Sequence, residues 1–526
     1  MKIKKIFKII TLAVILIGGA YLLWPPQEEK SEDSVAQISK KKDANKDVKY
    51  NLRVVAGVFY KPGIAPGGVG EVNKAFQEVI DEYEKLHPDV NITVATQIGM
   101  REYLVTQLSS GRAPDILMVN VEDVWVDIHK GWYVPLDKYL EKPNPYCKPG
   151  EPGSEKWWDQ FKYQAISRGK LAPDGKMYCI TYDLIETAIY YNKEIFKDLN
   201  LTPPKNWDEF EEIVKKNRKA GITPLQTVVR TYSDWGVDLI LDQIYYNILP
   251  GIDLVKDPTR EKYLEGYLDW DEICFLFKKG FFTKDDPRYR ELWKQIHNMR
   301  QFSNQDIATA DMIRAFVNKK AAMLWLASNI SYRFDADKDL DFEWDVFYLP
   351  QFTTNMCKYA PNVPMCVIGG AGVQYEVSNT AFSDTGDPET SERLKVVIDF
   401  LQFLTEPKNY EKIVNEHPIL VPNIVGVPVL PLMKPFEEIL KRRYTTTKWT
   451  YTFDIKFQDI LERMLHLYLD DHITLDEFLD WQERNLADAS ERFIRRKKPN
   501  FDAMEKEWKR LAPLRKNMID LPPQAK

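Results

Sequence analysis

The sequence predicts an α/β protein with two or more lobes built around mostly parallel β-sheets. Its length of 526 residues exceeds what one hydrophobic core normally holds, which indicates at least two lobes. Hydrophobic residues make up 44% and aromatic residues 13%, as in a globular rather than a disordered chain. From Leu52 to Val119, strand-like and helix-like stretches alternate in a βαβαβ order, which is typical of a parallel sheet.

Residues 1–24 are expected to be an export signal or a membrane anchor. Lysines near the N-terminus precede the uncharged stretch Ile9 to Trp24, an order that predicts export of the remaining chain. Cleavage after Gly18-Gly19-Ala20 and retention as an anchor both stay open, although the apolar stretch continues to Trp24, which favours an anchor. Residues 25–49 are polar and charged, as expected for a linker. We therefore expect the folded part in the periplasm or at the cell surface, held to the inner membrane if the anchor is kept.

The folded part opens with three strands separated by helices. The glycine-rich stretch 61–70 lacks the Gly-Lys-Ser/Thr ending of a nucleotide loop, so we expect a flexible loop there. Such a loop follows the carboxyl end of a strand, which is where α/β sheets bind ligands. The predicted elements are strands at 52–59, 90–94 and 116–119 and helices at 73–86 and 103–108.

The stretch from Met177 to Asn192 contains two strand-like runs separated by the polar dipeptide Tyr182-Asp183. Backbone that changes from one apolar strand to another across a single polar dipeptide indicates a crossing between two packed units. We therefore expect a hinge at this dipeptide, with the ligand site beside it. Asp183 itself has two open interpretations, since it would either bind ligand or tie the hinge backbone.

The second half of the chain is expected to be richer in helices. A basic cluster, Arg492 to Lys498, is expected to be a solvated face rather than a docking site. Thr474 is the expected N-cap of a C-terminal helix. The predicted elements are strands at 223–229, 321–326, 342–349 and 367–373, helices at 207–220, 232–246, 269–301, 311–318 and 394–404, and a nearly all-helical tail from 457.

Composition and motifs exclude several function classes. The net charge is −6, from 72 basic and 78 acidic residues that are well mixed, so no nucleic-acid partner is expected. The sequence lacks H-E-x-x-H, G-x-S-x-G and G-K-S/T, so we expect neither an enzyme nor a cofactor or metal site. Glu122-Asp123 leaves a two-carboxylate glycosidase as a minor alternative. Cys357 and Cys366 would either close a small disulfide or remain buried thiols.

Polar and aromatic residues gather where the apolar strands end. Each of them alone is more typical of a turn or a helix cap, but four such clusters together indicate a ligand site. Hydroxyl-rich ligands need paired hydrogen-bonding side chains and an aromatic face beneath the ring. The candidate residues on this basis are Asn120, Glu122, Asp183, Arg230, Tyr232, Trp235, Trp325, Ser328 and Asn329.

Three stretches resemble motifs of the family 1 extracellular solute-binding proteins, the sugar-capturing subunits of ABC importers. The most specific is Y-Y-N-K-E-I-F followed by L-T-P-P-K-N-W-D-E-F, which resembles Y-Y-N-K-x-x-F followed by P-P-x-T-W-x-E-F. The other two are G-R-A-P-D-I-L and F-V-N-K-K-A-A-M. The chain departs from the pattern at Thr181, where Pro is usual, and at Lys319, where Gly is usual. The resemblance therefore leaves the identity of the sugar open.

The resemblance implies a type II periplasmic-binding-protein-like fold, with discontinuous lobes joined by hinge strands and a helical C-terminal segment. Lobe one would hold 50–184 and 351–415, and lobe two 185–350 and 416–526. By position, Phe59, Asp123 and Gly370 join the candidate ligand residues. The implied mechanism is closure of the lobes on a sugar, followed by delivery to an ABC permease by a monomeric protein.

Three alternatives stay open. The first is a binder of another solute, such as a polyamine, a peptide or a phosphorylated metabolite. The second is a membrane-tethered sensor subunit, and the third is an enzyme that acts on glycosides.

Overall fold

A computed structural model describes residues 48–96, 101–308, 311–361, 363–365, 368–441 and 453–525, without the side chains of residues 102, 122, 455 and 459. The expected signal or anchor at 1–24 and nearly all of the linker lie outside these residues, as does Cys366. Across the described ranges, no helix is both long and apolar enough to cross a membrane. Cys357 is buried and has a free thiol.

The strands form two sheets. They are β1 (Tyr50–Val54), β2 (Val90–Val94), β3 (Ile116–Leu117), β4 (Cys179–Thr181), β5 (Asp183–Asn192), β6 (Thr223–Gln226), β7 (Ala321–Ala327), β8 (Trp344–Phe347), β9 (Gly369–Ala371), β10 (Gln374–Val377) and β11 (Val421–Pro422). The first sheet has the order β2-β1-β3-β10-β4, with β1 parallel to β2 and β3. The second has the order β11-β5-β7-β6, and β8 and β9 also pair with β5. The predicted two-lobe α/β architecture is thus confirmed.

The expectation of mostly parallel sheets holds only for part of the structure. In the first sheet, β10 runs antiparallel to both β3 and β4. In the second, β5 is antiparallel to β7, β8, β9 and β11, and β6 with β7 is a parallel pair. The βαβ order near the start of the chain predicts the parallel part, whereas the antiparallel strands come from distant segments that return to the sheets.

Helices cover the sheets and build the C-terminal segment. In lobe one they are Ala75–Leu86, Arg101–Ser109, Val121–Asp127, Asp137–Leu140, Gln164–Ser167, Glu392–Leu404 and Pro407–Val414. In lobe two they are Lys193–Asp198, Trp207–Lys219, Val229–Thr231, Val237–Tyr245, Leu249–Ile252, Pro258–Tyr263, Trp270–Lys278, Pro287–Arg300, Met312–Val317 and Ile330–Ala336. The C-terminal helices are Ile455–Leu469, Leu475–Lys497, Phe501–Arg510 and Ala512–Arg515.

Two of these helices show how the sequence sets local structure. The helix Ala75–Leu86 buries Ala75, Phe76, Val79, Ile80 and Tyr83, the apolar stripe that its sequence period predicts. The helix Trp207–Lys219 begins where the Asn206 side chain accepts a hydrogen bond from the Glu209 N–H. Both predicted helices are confirmed within one or two residues at their ends.

Three predicted elements end earlier or are divided. The strand expected at 52–59 stops at Val54, and Gly57 turns the chain with a φ of 82°. The strand expected at 223–229 ends at Gln226, before the helical turn Val229–Thr231. The helical stretch expected at 269–301 consists of two helices, which are divided where Gly280 has a φ of 89° and Pro287 starts the second.

The C-terminal helices pack against lobe two. Thr474 caps the helix Leu475–Lys497 in a capping box with Glu477, which confirms the expected N-cap. The Phe478 ring lies 5.0 Å from that of Trp293, in the helix Pro287–Arg300. Lys279 forms an ion pair of 2.7 Å with Glu505. The helical tail is therefore part of the folded lobe.

The chain passes between the sheets at closely spaced points. Tyr182 alone separates β4, in the first sheet, from β5, in the second. Gly372 and Val373 separate β9, which pairs with β5, from β10, which pairs with β4. The proposed lobe limits stay a prediction, and these pairings favour a return crossing just after Ala371 rather than at residue 351.

Candidate functional site

Asp183 lies at the crossing between the lobes and is fully buried. Tyr60 donates its hydroxyl to Oδ2 at 2.5 Å, and the Val373 N–H donates to Oδ1 at 2.6 Å. The Gly372 N–H donates to the Asp183 carbonyl at 3.0 Å. Burial raises the pKa of the Asp183 carboxyl from 3.8 to about 7. Of the two interpretations of this residue, these contacts favour the tie of the hinge backbone.

A cluster of tyrosines surrounds the crossing. The Tyr182 ring meets those of Tyr60, Tyr375 and Tyr410 edge-on, with centroids 5.8, 5.0 and 4.7 Å away. The Tyr410 hydroxyl donates to the Tyr182 carbonyl at 2.7 Å and accepts from the Asn423 N–H at 2.8 Å. The cluster thus binds the first crossing to the helix Pro407–Val414 and to Asn423, directly after β11. Sequence reasoning missed it, because its members come from four distant stretches of the chain.

The lobe-one part of the candidate site follows β3. Asn120 is exposed, and its carbonyl accepts from the Asp123 and Val124 N–H groups at 2.9 and 3.3 Å, which starts the helix Val121–Asp127. Asp123 lies 3.7 Å from Arg101, and its side chain is 39% exposed. The Glu122 side chain lies outside the described residues. Asn120 and Asp123 therefore share one surface of lobe one.

Glu376 binds the backbone directly before Asn120 and was not among the predicted residues. Its Oε2 accepts from the Val119 N–H at 2.9 Å, directly before Asn120. The side chain is fully buried, and burial raises its pKa well above the usual range. β10 is far from β3 in the sequence and pairs with it only in the folded protein. No local sequence signal therefore indicated this contact.

The lobe-two part centres on Trp235 and Arg230. The Trp235 ring is partly exposed and lies 6.4 Å from the ring of Trp325, at 55°. Trp325 is buried, so Trp235 is the accessible ring of this pair. The Arg230 guanidinium lies 3.3 Å from Asp234 and 3.9 Å from Glu462. Asp234 and Glu462 were missed, and Glu462 comes from the C-terminal helix Ile455–Leu469.

Two predicted ligand residues, Tyr232 and Ser328, lie in the core of lobe two and are not exposed to solvent. Tyr232 is fully buried and donates its hydroxyl to the Met299 carbonyl at 3.2 Å. Ser328 is fully buried and accepts from the Glu186 N–H at 3.3 Å. Their contact with ligand stays a prediction, and in this conformation the polar atoms of both residues already bond inside lobe two.

The remaining predicted residues are partly exposed. Phe59 lies in the loop after β1, and its carbonyl accepts from Asn73 at 2.9 Å. Asn329 precedes the helix Ile330–Ala336, and Gly370 lies in β9 opposite Ile185.

Two cavities lie away from the candidate ligand residues. A cavity of about 520 Å³ lies beside Gln351 and Phe352, and one of about 170 Å³ lies beside Arg288 and Tyr359. Neither borders the candidate ligand residues. Within the described ranges, no cluster of three or more His, Cys, Asp or Glu side chains could hold a metal ion. The candidate site therefore rests on its side-chain chemistry rather than on cavity size.

Comparison with known proteins places this geometry in context. A model of the family described as bacterial extracellular solute-binding protein matches residues 67–411. A maltotriose-binding protein of Pyrococcus abyssi is 24% identical over 156 residues, which is 28% of this chain and 30% of that protein. A multiple sugar-binding protein of Streptococcus mutans is 23% identical over 155 residues, 29% of this chain and 33% of that protein. The chain thus matches only about a third of the length of these curated relatives.

Solved structures share the fold over most of the chain. A chitin oligosaccharide binding protein matches with a TM-score of 0.57 and 17% identity, covering 84% of this chain and 99% of that one. RafE from Streptococcus pneumoniae, in its apo form, matches with a TM-score of 0.57 and 17% identity, covering 84% and 98%. The GacH receptor of Streptomyces glaucescens matches with a TM-score of 0.54 and 16% identity, covering 84% and 98%. These matches confirm the two-lobe type II fold.

Proposed function

Because the chain belongs to the family of bacterial extracellular solute-binding proteins, we propose that it captures a carbohydrate between its lobes and delivers it to an ABC importer. The observation that carries the proposal is the partly exposed Trp235, backed by Trp325 and flanked by the Arg230–Asp234 ion pair. A sugar ring presents apolar C–H groups on its faces and hydroxyls around its rim. An aromatic face beside a guanidinium and a carboxylate suits both, through stacking and charge-assisted hydrogen bonds.

The names of curated relatives support a sugar as ligand. One is a maltotriose-binding protein and another a multiple sugar-binding protein. The chain departs from its family's usual motif at Thr181 and Lys319, so the particular sugar does not follow from these relatives.

The proposed mechanism is closure about the crossing at Tyr182. In the open protein a sugar would dock on the Arg230 and Trp235 surface of lobe two. Rotation of lobe one would bring Asn120 and Asp123 against the same ligand, and closure would exclude water from the polar contacts. The ligand favours the closed state only by the extra contacts that it makes there.

Location and partners follow the family. Its members are extracellular solute-binding proteins, and we propose that the N-terminal segment either tethers this chain to the membrane or is cleaved. The partner of the closed form is an ABC permease, and the binding unit is a monomer. We further propose that the protein binds its ligand without converting it, and incubation with chromogenic glycosides should release no product.

Titration calorimetry against a panel of mono- and oligosaccharides tests the function. We expect heat from at least one sugar, and Trp235→Ala should weaken that binding by roughly 10- to 100-fold through the lost stacking. Trp132→Ala is the matched control, because Trp132 is also partly exposed but lies outside the candidate site, beneath Lys130. A panel without any binder, or equal losses in both variants, would contradict the proposal.

A second candidate ligand is a cationic solute such as a polyamine. Two carboxylates, Asp234 and Glu462, lie against Arg230, so the local balance of these three side chains is one negative charge. A cation would be drawn to that surface. The same panel therefore includes putrescine and spermidine, and heat from these alone would replace the sugar proposal.

A further inference from the structure

The last residue of the C-terminal helix Leu475–Lys497 reaches across to lobe one. The Lys497 Nζ donates to the Trp125 carbonyl at 2.6 Å and to the Val126 carbonyl at 3.4 Å. Both carbonyls lie at the C-terminal end of the helix Val121–Asp127, whose aligned peptide dipoles favour a cation there. A lobe-two side chain thus holds the end of a lobe-one helix.

An apolar contact accompanies this bond. The Trp125 ring meets the ring of Trp270 edge-on at 5.8 Å, and the two side chains are 3% and 4% exposed. Trp270 in turn meets Phe493, in the C-terminal helix, at 6.3 Å. The packing therefore runs without interruption from lobe one into the C-terminal helix.

A second polar bridge lies nearby. Arg260 of lobe two donates to the Leu171 carbonyl of lobe one at 3.2 Å. Its guanidinium is fixed by a 2.7 Å ion pair with Asp269, and the residue is buried. The two lobes thus meet at this rim through two cations and one pair of tryptophans.

The basic cluster at Arg492–Lys498 is therefore not only a solvated face. Arg492 pairs with Asp454 through two contacts of 2.8 Å, and Arg496 donates to the Phe453 carbonyl at 2.9 Å. These contacts hold the start of the helix that carries Glu462, while Lys497 turns to lobe one. The expected solvated face holds for Arg495, Arg496 and Lys498, which are exposed, whereas Arg492 and Lys497 are partly buried in contacts with the rest of the protein.

We propose that Lys497 and Trp270 form a closure latch, which holds the helix Val121–Asp127 only when the lobes are closed and so strengthens ligand binding without touching the ligand. The inference rests on the proposed function. The short helix Val121–Asp127 carries Asp123 in its first turn and the two carbonyls that Lys497 binds in its last turn. One movement of this helix therefore brings Asp123 to the ligand and the carbonyls to Lys497. Apparent affinity scales with the fraction of protein in the closed state, so losing the latch should weaken binding.

The test uses Lys497→Met in the full chain, which keeps the aliphatic stem and removes the charge. Arg495→Met is the matched control, because Arg495 is exposed on the same helix. Spin labels at Leu86 in lobe one and Lys294 in lobe two, both on exposed positions, report the distance between the lobes. Thermal unfolding first shows that each variant is folded.

We expect Lys497→Met to shift the distance distribution toward longer values and to weaken sugar binding roughly 10- to 100-fold, as for loss of a charge-assisted hydrogen bond. Arg495→Met should leave both measurements unchanged. Equal distances and affinities in the two variants would overturn the latch. If no sugar binds but Lys497→Met still lengthens the distance, the latch stands and the carbohydrate proposal fails.

Discussion

The hydroxyl of Tyr60 donates to Oδ2 of Asp183 at 2.5 Å and so joins the loop after β1 to the first residue of β5. Tyr60 follows the first strand of lobe one, while Asp183 begins the central strand of the second sheet. The same carboxyl also accepts from the Val373 N–H, in the return crossing. One buried side chain therefore ties both crossings and the first loop together.

The raised pKa of Asp183 predicts a pH dependence of stability. Its folded pKa of about 7 exceeds the ordinary 3.8, so the folded state retains a proton that the unfolded state loses between these values. Its contribution to stability is complete below pH 3.8 and is lost as pH rises to about 7. The loss is on the order of 4 kcal/mol. Asp183→Asn should remove this part of the dependence, as measured by urea unfolding from pH 4 to 8.

The two proteins are compared by the free energy of unfolding as a function of pH. The difference between wild type and Asp183→Asn gives the contribution of Asp183 apart from that of other buried carboxyls. Asp286, for example, has a pKa raised to about 6 by burial, but it is present in both proteins. Parallel curves for wild type and Asp183→Asn would show that the Asp183 carboxyl keeps an ordinary pKa.

Gly372 should tolerate no side chain. A Cβ there would lie 2.5 Å from Oδ1 of Asp183 and 2.7 Å from Cδ1 of Leu420. Gly372→Ala must displace the carboxyl or the leucine, and we expect a loss of about 1–3 kcal/mol in the free energy of unfolding. Gly236→Ala is the control, because the nearest atom to its Cβ would be the tip of Ile296 at 3.3 Å and the others would be in ordinary van der Waals contact. Similar unfolding midpoints for both variants would argue against a tight crossing.

Arg230 should matter for binding more than for stability. Its guanidinium separates Asp234 from Glu462, and each of the three side chains is between 21% and 25% exposed. Arg230→Met removes a hydrogen-bond donor and leaves two carboxylates near the ligand. We expect the Kd for the captured sugar to rise at least about tenfold, with little change in Tm.

Arg314→Met serves as the comparison for Arg230, since Arg314 lies exposed on lobe two. Unchanged sugar binding by Arg230→Met would place the ligand elsewhere. Stronger binding of spermidine by this variant would favour the cationic ligand.

Local signals in the sequence predict much of the fold. The apolar stripe of the helix Ala75–Leu86 and the polar pair at Tyr182-Asp183 are visible in adjacent residues, and both are found where expected. The antiparallel partners of β5 are not visible, because β9 and β11 return from residues about 190 and 240 positions further along the chain. Long-range pairing leaves little mark on local sequence.

The candidate site was less predictable for a related reason. Tyr232 follows a strand in the sequence, but it lies in a widened helical turn that directs it into the core. Glu462 and Glu376 reach the site from distant elements, and neither stands in a motif. Residue type and strand-end position therefore led to Trp235 and Arg230 as candidates, whose contact with ligand stays a prediction, but not to the side chains that position them.

The single residue between β4 and β5 limits how the two lobes can move. Tyr182 on the first crossing and Gly372-Val373 on the second lie side by side, and a third crossing leads from the helix Pro407–Val414 into β11, so the axis of motion passes through these connections. Rotation about that axis is permitted, whereas sliding would stretch a link that has no spare length. Reporters beside Tyr182 should record almost no displacement during opening, and those beside Trp125 and Trp270, which the latch holds together, should record a larger one.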